Sequence, residues 1–461
     1  MEIKKPPSKT NLLISRIGLS ITRNSEQAAK AGKKRKFLPG TLVFHFRPRR
    51  VPHAAARFTQ TWGLGGIALV LVLLLFSTGL MLKLAYKPFP DMAYDSILTI
   101  QRDVHFGLWV RNIHHWSANF LAIVLFLHMQ RVFFTGGFRH PRQFNWVVGL
   151  VLFLLVLASN FTGYLLPWDQ LAYWAITIST GMLDYVPFFG GWLQTVIRGG
   201  PEIGPSSLLL FFAVHTAFLP MGIFLVMMFH FWRVRKAGGV VVPMMPATEE
   251  AQGASTPVFP DLLLKELVTA LAAVAFVLIF SAMFNAPLEM KANPGLSPNP
   301  AKAPWFFIGM QEMLLHVHPF FAVLVIPLLM LGGLLALPYL NDASPAGGVW
   351  FYSAKGRRMG ITSAVAAVIF SAAGILGDAF LFDLTNALPA LPSVIVSGVL
   401  PIAVFSGVVA IFMIFLQRRY AADSNEMIQS IYIFVMTGYV VLTITCLWLR
   451  GVNMALAWPW G

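Results

Sequence analysis

His114, His128, His215 and His230 lie inside two apolar stretches, 14 residues apart in the first and 15 in the second. At about 1.5 Å rise per residue, either interval covers about 21 Å of helix. Fourteen residues is close to four turns of about 3.6 residues each, so the two histidines of a pair project from nearly one face. A polar ring in hydrocarbon is expensive and marks a functional position. Two such helices side by side would offer facing histidine pairs at two depths, enough to hold two haems by two imidazoles each. Bis-imidazole ligation leaves no open iron position, which suits electron transfer rather than oxygen chemistry.

The elements that must position these rings are membrane spans. The chain is 57% hydrophobic and 11% charged, with a mean hydropathy of +0.69, which excludes a soluble globular domain. Stretches near the ~20 residues needed to cross a bilayer fall at 63–85, 114–134, 146–166, 208–232, 263–284, 320–340, 361–382, 394–416 and 429–449. The expected fold is therefore an all-α polytopic membrane protein. A four-helix di-haem bundle at the N-terminal end is followed by about five further transmembrane helices. Gly and Pro interrupt the last three spans.

Charge orients the spans. Residues 1–58 hold 14 Lys and Arg against Glu2 and Glu26, a net of +12 out of +15 for the whole chain. Arg233, Arg235 and Lys236, then Lys355, Arg357 and Arg358, then Arg418 and Arg419 all fall on the same side of a nine-span chain. The positive-inside rule makes that side cytoplasmic, N-terminus included. Trp458-Pro459-Trp460 would sit at the outer interface. Lipid attraction explains the basic arm better than nucleic acid, which is not an expected partner, and 11–21 could form an amphipathic surface helix. The first apolar span begins too late for a cleavable signal peptide. A single cysteine, Cys446, excludes an internal disulfide or a Cys-based iron–sulfur or zinc site.

Four domains follow: a basic extension over 1–58, the di-haem domain over 59–240, a linker over 241–260 rich in Gly, Pro and Ser, and a C-terminal transmembrane domain over 261–461. All four spaced histidines belong to the first transmembrane half. The second and fourth spans both start from the outer side and run parallel, which pairs His114 with His215 and His128 with His230. Residues facing a flat ring should be small, and Gly65 with Gly79, and Gly149 with Gly163, repeat the 14-residue interval. Arg111 and Arg131, three residues outside His114 and His128, could meet haem propionates; Arg111 could equally anchor at the interface. His115 points about 100° away from His114. His45, His53, His105, His140, His316 and His318 lie in loops, at span ends or in the arm, and are not expected to be ligands.

The segments WGLGGIALVLVLLLFSTG at 62–79, RNIHHWSANFLAIVLFLHMQRV at 111–132, TGGFRHPRQFNWVVG at 135–149 and TGYLLPWDQLAYWA at 162–175 resemble cytochrome b of the quinol–cytochrome c and quinol–plastocyanin oxidoreductases. The cytochrome b6 type is the nearer, in what looks like a fused bacterial form. The resemblance implies a low-potential outer haem on His114 and His215 and a higher-potential inner haem on His128 and His230. It matches Arg235 and Lys236 to a basic pair near a cytoplasmic-side quinone. In the second half, Ala303-Pro304-Trp305-Phe306 stands where the family has Pro-Glu-Trp-Tyr. The carboxylate expected to accept a quinol proton is thus missing. Glu312 is the candidate replacement, with His316 or His318 as alternatives, unless Glu312 is simply an interfacial carboxylate facing solvent. Gly63 occupies the position of the cysteine that attaches a further haem in the b6 type, so no covalently attached third haem is expected, although glycine leaves room for a non-covalent ligand.

These features predict the membrane-embedded di-haem subunit of a quinol:cytochrome c-type oxidoreductase in the bacterial inner membrane. Quinol would dock on the outer side near Trp168, Asp169, Trp174, Trp305 and Phe306. One electron would pass to a Rieske iron–sulfur protein or c-type cytochrome subunit, and the other would cross the membrane to quinone near Arg235. Protons would be released outside and taken up inside. The family also implies a homodimeric complex. The altered 303–306 segment keeps open a second reading, a di-haem anchor exchanging electrons between the quinone pool and a soluble dehydrogenase or multihaem cytochrome. A transporter or purely structural protein would bind no haem.

Overall fold

The computed structural model describes residues 14, 17, 18, 21, 50–242, 255–340, 347–351, 353–381 and 384–458. The basic run at 33–36, most of the proposed 11–21 surface helix, the linker from 243 to 254 and Pro459-Trp460 lie outside these residues. Among the described residues, nine helices are long and apolar enough to cross a membrane. Five lie in the first part of the chain: α1 Leu64–Lys83, α2 Gly107–Phe134, α3 Gln143–Tyr164, α4 Pro205–Lys236 and α5 Val258–Met283. A short helix, α6 Ile308–His316, precedes α7 Phe321–Leu340, α8 Ala354–Phe380, α9 Val394–Tyr420 and α10 Ser424–Trp448. The chain is an all-α multi-pass membrane protein.

Each expected span is present, and most differences lie at polar ends that hydropathy alone does not reach. Helix α8 starts at Ala354 because Ser353 caps it, its hydroxyl accepting from Gly356 N at 2.8 Å. Helix α10 starts at Ser424 behind a capping box. Asp423 accepts from Glu426 N at 2.8 Å, and Glu426 accepts in return from Asp423 N at 3.0 Å. Among the described residues four spans carry a π-helical turn: Val214–Phe218 within α4, and Val258–Leu262, Phe321–Val325 and Val394–Val399 at the starts of α5, α7 and α9. All but Val258–Leu262 are followed two residues later by a proline, at Pro220, Pro327 and Pro401. Proline has no N–H for the preceding turn's carbonyl, and a π-turn is one way to absorb the missing bond.

In the first half, α1 packs along α2 and α3 along α4, with α2 also touching α3. The centre of this bundle is apolar: Leu71, Val72, Leu121, Val156, Ile223 and Met227 are buried together. Helix α5 covers α1 and α2, and α7 covers α3. The last helix, α10, packs on both α6 and α8. A two-stranded antiparallel ribbon, β1 Arg50–Pro52 with β2 Ser255–Pro257, ties the entry to α1 to the entry to α5.

Candidate functional site

The four spaced histidines occupy two levels of the α1–α4 bundle. At one level the rings of His114 and His215 face each other, their centroids 6.2 Å apart and their planes at 76°. At the other, His128 and His230 are near enough to interact electrostatically. Each ring lies against one of the spaced glycines. A Cβ at Gly79 would come within 3.1 Å of His114 Cε1, at Gly163 within 2.5 Å of His215 Cε1, and at Gly65 or Gly149 within 3.6 Å of His128 or His230. The glycines thus leave the room that the imidazoles use.

Hydrogen bonds select the tautomer at the first level. Thr78 Oγ1 donates its one proton to Leu74 O at 2.6 Å, so at 3.0 Å it can only accept from His114 Nδ1. His215 Nδ1 lies 2.9 Å from the Ser159 carbonyl, which also can only accept. Both rings therefore carry the proton on Nδ1 and keep the Nε2 lone pair, the arrangement expected of an imidazole that ligates a metal. At the second level the backbone of Asn145, 14 residues before Ser159, lies near His230, but His230 Nδ1 makes no hydrogen bond among the described residues. This donor set fits a bis-imidazole haem iron.

The unequal histidine spacings have a structural cause. One residue advances an α-helix by about 100°, so intervals of 14 and 15 should not match in phase. His215 lies inside the π-turn Val214–Phe218, which takes up one extra residue. The 15-residue interval on α4 then behaves as the 14-residue interval on α2, and both pairs meet.

The arginines beside the histidines are buried. Arg111 donates to Ala286 O at 2.8 Å and to Pro287 O at 2.6 Å, using two of its five donors. Asn112 bonds Ser281 O at 3.0 Å and accepts from Ala286 N at 2.9 Å, while Trp116 donates to Phe284 O at 2.8 Å. The histidine-bearing end of α2 therefore holds the segment that leaves α5. Arg131 Nε donates to Gln60 O at 2.9 Å, and one of its terminal nitrogens is buried without a partner. An anionic group on that side would satisfy it. His115 packs edge-on against Trp116, centroids 5.0 Å apart, and not against His114's partner. Beside Gly63, a Cβ would come within 2.7 Å of the Thr269 methyl, so α5 fills that space.

The residues expected around quinol are anchored separately. Trp305 Nε1 donates to Asn119 Oδ1 on α2 at 2.6 Å. The Phe306 carbonyl accepts from Tyr439 at 3.3 Å, and Phe307 meets Phe161 of α3 at 5.7 Å between centroids. The 305–307 aromatics thus lie on the α2 and α3 faces beside the His114–His215 level, on its side toward His128 and His230. Trp174 donates instead to Asn293 O at 3.3 Å. Asp169 caps the helix Gln170–Gly181 and accepts from Glu289 N at 3.1 Å. Trp168 is buried against Tyr173.

Glu312 does not face solvent: its side chain is 0% exposed and pairs with Arg450 at 2.6 Å. At the opposite end of the bundle, Lys236 lies over the Trp232 ring at 5.4 Å, and Arg235 is half-buried. Arg233 is the buried cation of that group, 5.1 Å from the Phe144 ring centroid. Sequence reasoning missed Arg450, Thr78 and Ser159. Thr78-Gly79 and Thr162-Gly163 form a repeated dipeptide that signals the first of the ring-facing hydroxyls. Nothing near Arg450 in sequence points to Glu312.

A family model described as Cytochrome b/b6/petB matches residues 51–238. Cytochrome b6 of Prochlorococcus marinus (strain MIT 9515) is 42% identical over 175 residues, 38% of this chain and 80% of that protein. Cytochrome b6 of Prochlorococcus marinus (strain MIT 9215) is likewise 42% identical over the same shares. A solved chain titled "Hyperthermophilic respiratory Complex III" superposes with a TM-score of 0.60 at 22% identity. It covers 84% of this chain and 91% of its own length, a likeness of fold that includes the second half.

Proposed function

This chain belongs to the cytochrome b/b6 family, and from that premise we propose that it is the di-haem subunit of a quinol:cytochrome c-type oxidoreductase that translocates protons. It is a multi-pass membrane subunit of a quinol oxidoreductase complex, and b-type haem is implied by the family. The facing of His114 and His215, each with Nδ1 engaged and Nε2 available, carries the reading.

His114 and His215 hold one haem, and His128 and His230 the other. Gly65, Gly79, Gly149 and Gly163 keep the space beside the rings open, while Arg111 and Arg131 would meet propionates. Haem held by these imidazoles would supply one-electron transfer. Quinol docks near Trp174, Trp305 and Phe306, and Glu312 accepts one of its protons. Arg235 and Lys236 serve quinone at the opposite face. The arm 1–58 and linker 241–260 flank the di-haem domain 59–240, and 261–461 completes the quinol site. The electron acceptor is a Rieske protein or c-type cytochrome in a homodimeric complex of the bacterial inner membrane, with the N-terminus cytoplasmic, as loop charge supports. With Gly63 in the cysteine's place, no covalent third haem is attached.

Haem content tests the pairing. Replacing His128 or His230 should remove one b-type haem and spare the other in a reduced-minus-oxidised spectrum; two haems retained in both variants would defeat it. Pro304 and Phe306, which depart from the family's motif, favour one second reading, the di-haem anchor between the quinone pool and a soluble dehydrogenase or multihaem cytochrome. Oxidant-induced reduction of the b haems distinguishes the two: its presence supports the bifurcating enzyme and its absence the anchor.

A further inference from the structure

Beyond the histidine levels, α6 ends in a buried ionic cluster. A lone carboxylate as buried as Glu312 would cost several kcal/mol, and Arg450, just past α10, offsets this with a fork. Its Nε lies 3.1 and 3.0 Å from Oε1 and Oε2, and a terminal nitrogen lies 2.6 Å from Oε1. One turn along α6, His316 Nε2 is 3.1 Å from the same Oε1. The other ring nitrogen, Nδ1, is 2.6 Å from Asp378 Oδ2 near the end of α8. Side-chain exposure rises along this row, from 0% at Glu312 and 14% at His316 to 45% at Asp378. An imidazole with a carboxylate on each nitrogen can take a proton on one side and give one up on the other.

We propose that Glu312, His316 and Asp378 form the proton exit of the quinol oxidation site, with Arg450 as the residue that positions Glu312. The proposal rests on the reading of the 303–312 segment as that site. Its link to the quinol loop is Gln311, which donates to Ala301 O and accepts from Ala303 N, each at 2.7 Å. The quinol O–H bond breaks and its proton bonds to Glu312. As that proton passes to His316 Nε2, the proton on Nδ1 passes to Asp378, which releases it to water. One proton enters and one leaves, each group returns to its starting charge, His316 regains its Nδ1–H tautomer by ring rotation or proton exchange with water, and quinol's electrons depart by the oxidoreductase route.

The surrounding charges suit this direction. Burial alone would raise the Glu312 carboxyl, but hydrogen bonds from His316 and Arg450 outweigh it and hold the group below the usual carboxylate range. Burial would lower the His316 imidazole, and its bonds to Glu312 and Asp378 outweigh that and hold it above its usual range. The two carboxylates thus favour the imidazolium form of His316 through which a proton would pass. The other titratable groups packed around the row are Cys446 of α10 and Lys302 of the preceding loop. At the turn into α7, His318 Nδ1 accepts from Phe320 N and takes no part.

Steady-state quinol oxidation by the purified complex tests the exit. Asp378→Asn should slow turnover at least about tenfold with both haems present in the spectrum, and added formate should restore much of the rate. Asp378→Glu should keep it. An unchanged rate in Asp378→Asn, a loss that formate does not relieve, or an equal loss in Asp378→Glu would overturn the exit. Glu312→Gln separates the two levels of inference. If it slows oxidation while Asp378→Asn does not, the acceptor survives and the exit fails; if it leaves the rate unchanged, the acceptor itself is wrong.

Discussion

The four ring-facing glycines are not equivalent, because the imidazoles approach them unequally. A methyl at Gly163 would overlap His215, at 2.5 Å from Cε1 and 3.0 Å from Nδ1, whereas at Gly149 it would make ordinary contact with His230 at 3.6 Å. Gly163→Ala should therefore displace His215 from the Ser159 carbonyl and lower haem occupancy at that level. Gly149→Ala should leave occupancy near normal. Haem-to-protein ratio by pyridine haemochrome measures both, and equal losses would refute the distinction. At this scale much was legible: a period of 14 shared by two glycine pairs and one histidine pair picked out the rings and the glycines that the structure sets beside them. The backbone partners of Arg111 and the arginine partner of Glu312 were not legible, since they come from residues more than a hundred positions away. No local pattern encodes such pairings; only the packing of α5 on α2 and α10 on α6 creates them.

Among the helices, the π-turn at Val214–Phe218 reconciles two unequal intervals. Deleting the exposed Ala217 should let α4 run as a regular helix with a 14-residue interval, keeping both haems. Inserting an alanine after Ala217 should instead rotate His215 by about 100° and lose one haem. Equal haem content in the two variants would show that the turn does not control phase. Hydropathy located all nine spans within a few residues of their cores, yet it missed the π-turns and the capped polar ends. A window average registers neither a missing proline N–H nor a side chain that accepts from a helix's first turn. Pro220, Pro327 and Pro401 were nonetheless visible two residues beyond three of the four π-turns, Val258–Leu262 being the one without such a proline.

Across the whole molecule, the two halves meet through α5 on α1 and α2, α7 on α3, and the β1–β2 ribbon. These contacts do not depend on the connecting chain between 243 and 254. Coexpressing residues 1–248 and 249–461 as separate chains should therefore yield a co-purifying pair with both haems. Recovery of the first piece alone would show that covalent continuity is required. The apolar layer of Leu71, Leu121, Val156 and Ile223 separates the two histidine levels and has an electrical consequence. The levels are about 21 Å apart along the helices, against a hydrocarbon thickness of about 30 Å. Charge moved from one level to the other thus crosses roughly two-thirds of the transmembrane voltage, about 1.6 kcal/mol per electron at about 100 mV. If electrons cross between these levels as proposed, the transmembrane potential opposes them, so turnover should slow in energised vesicles and quicken when an ionophore collapses the field.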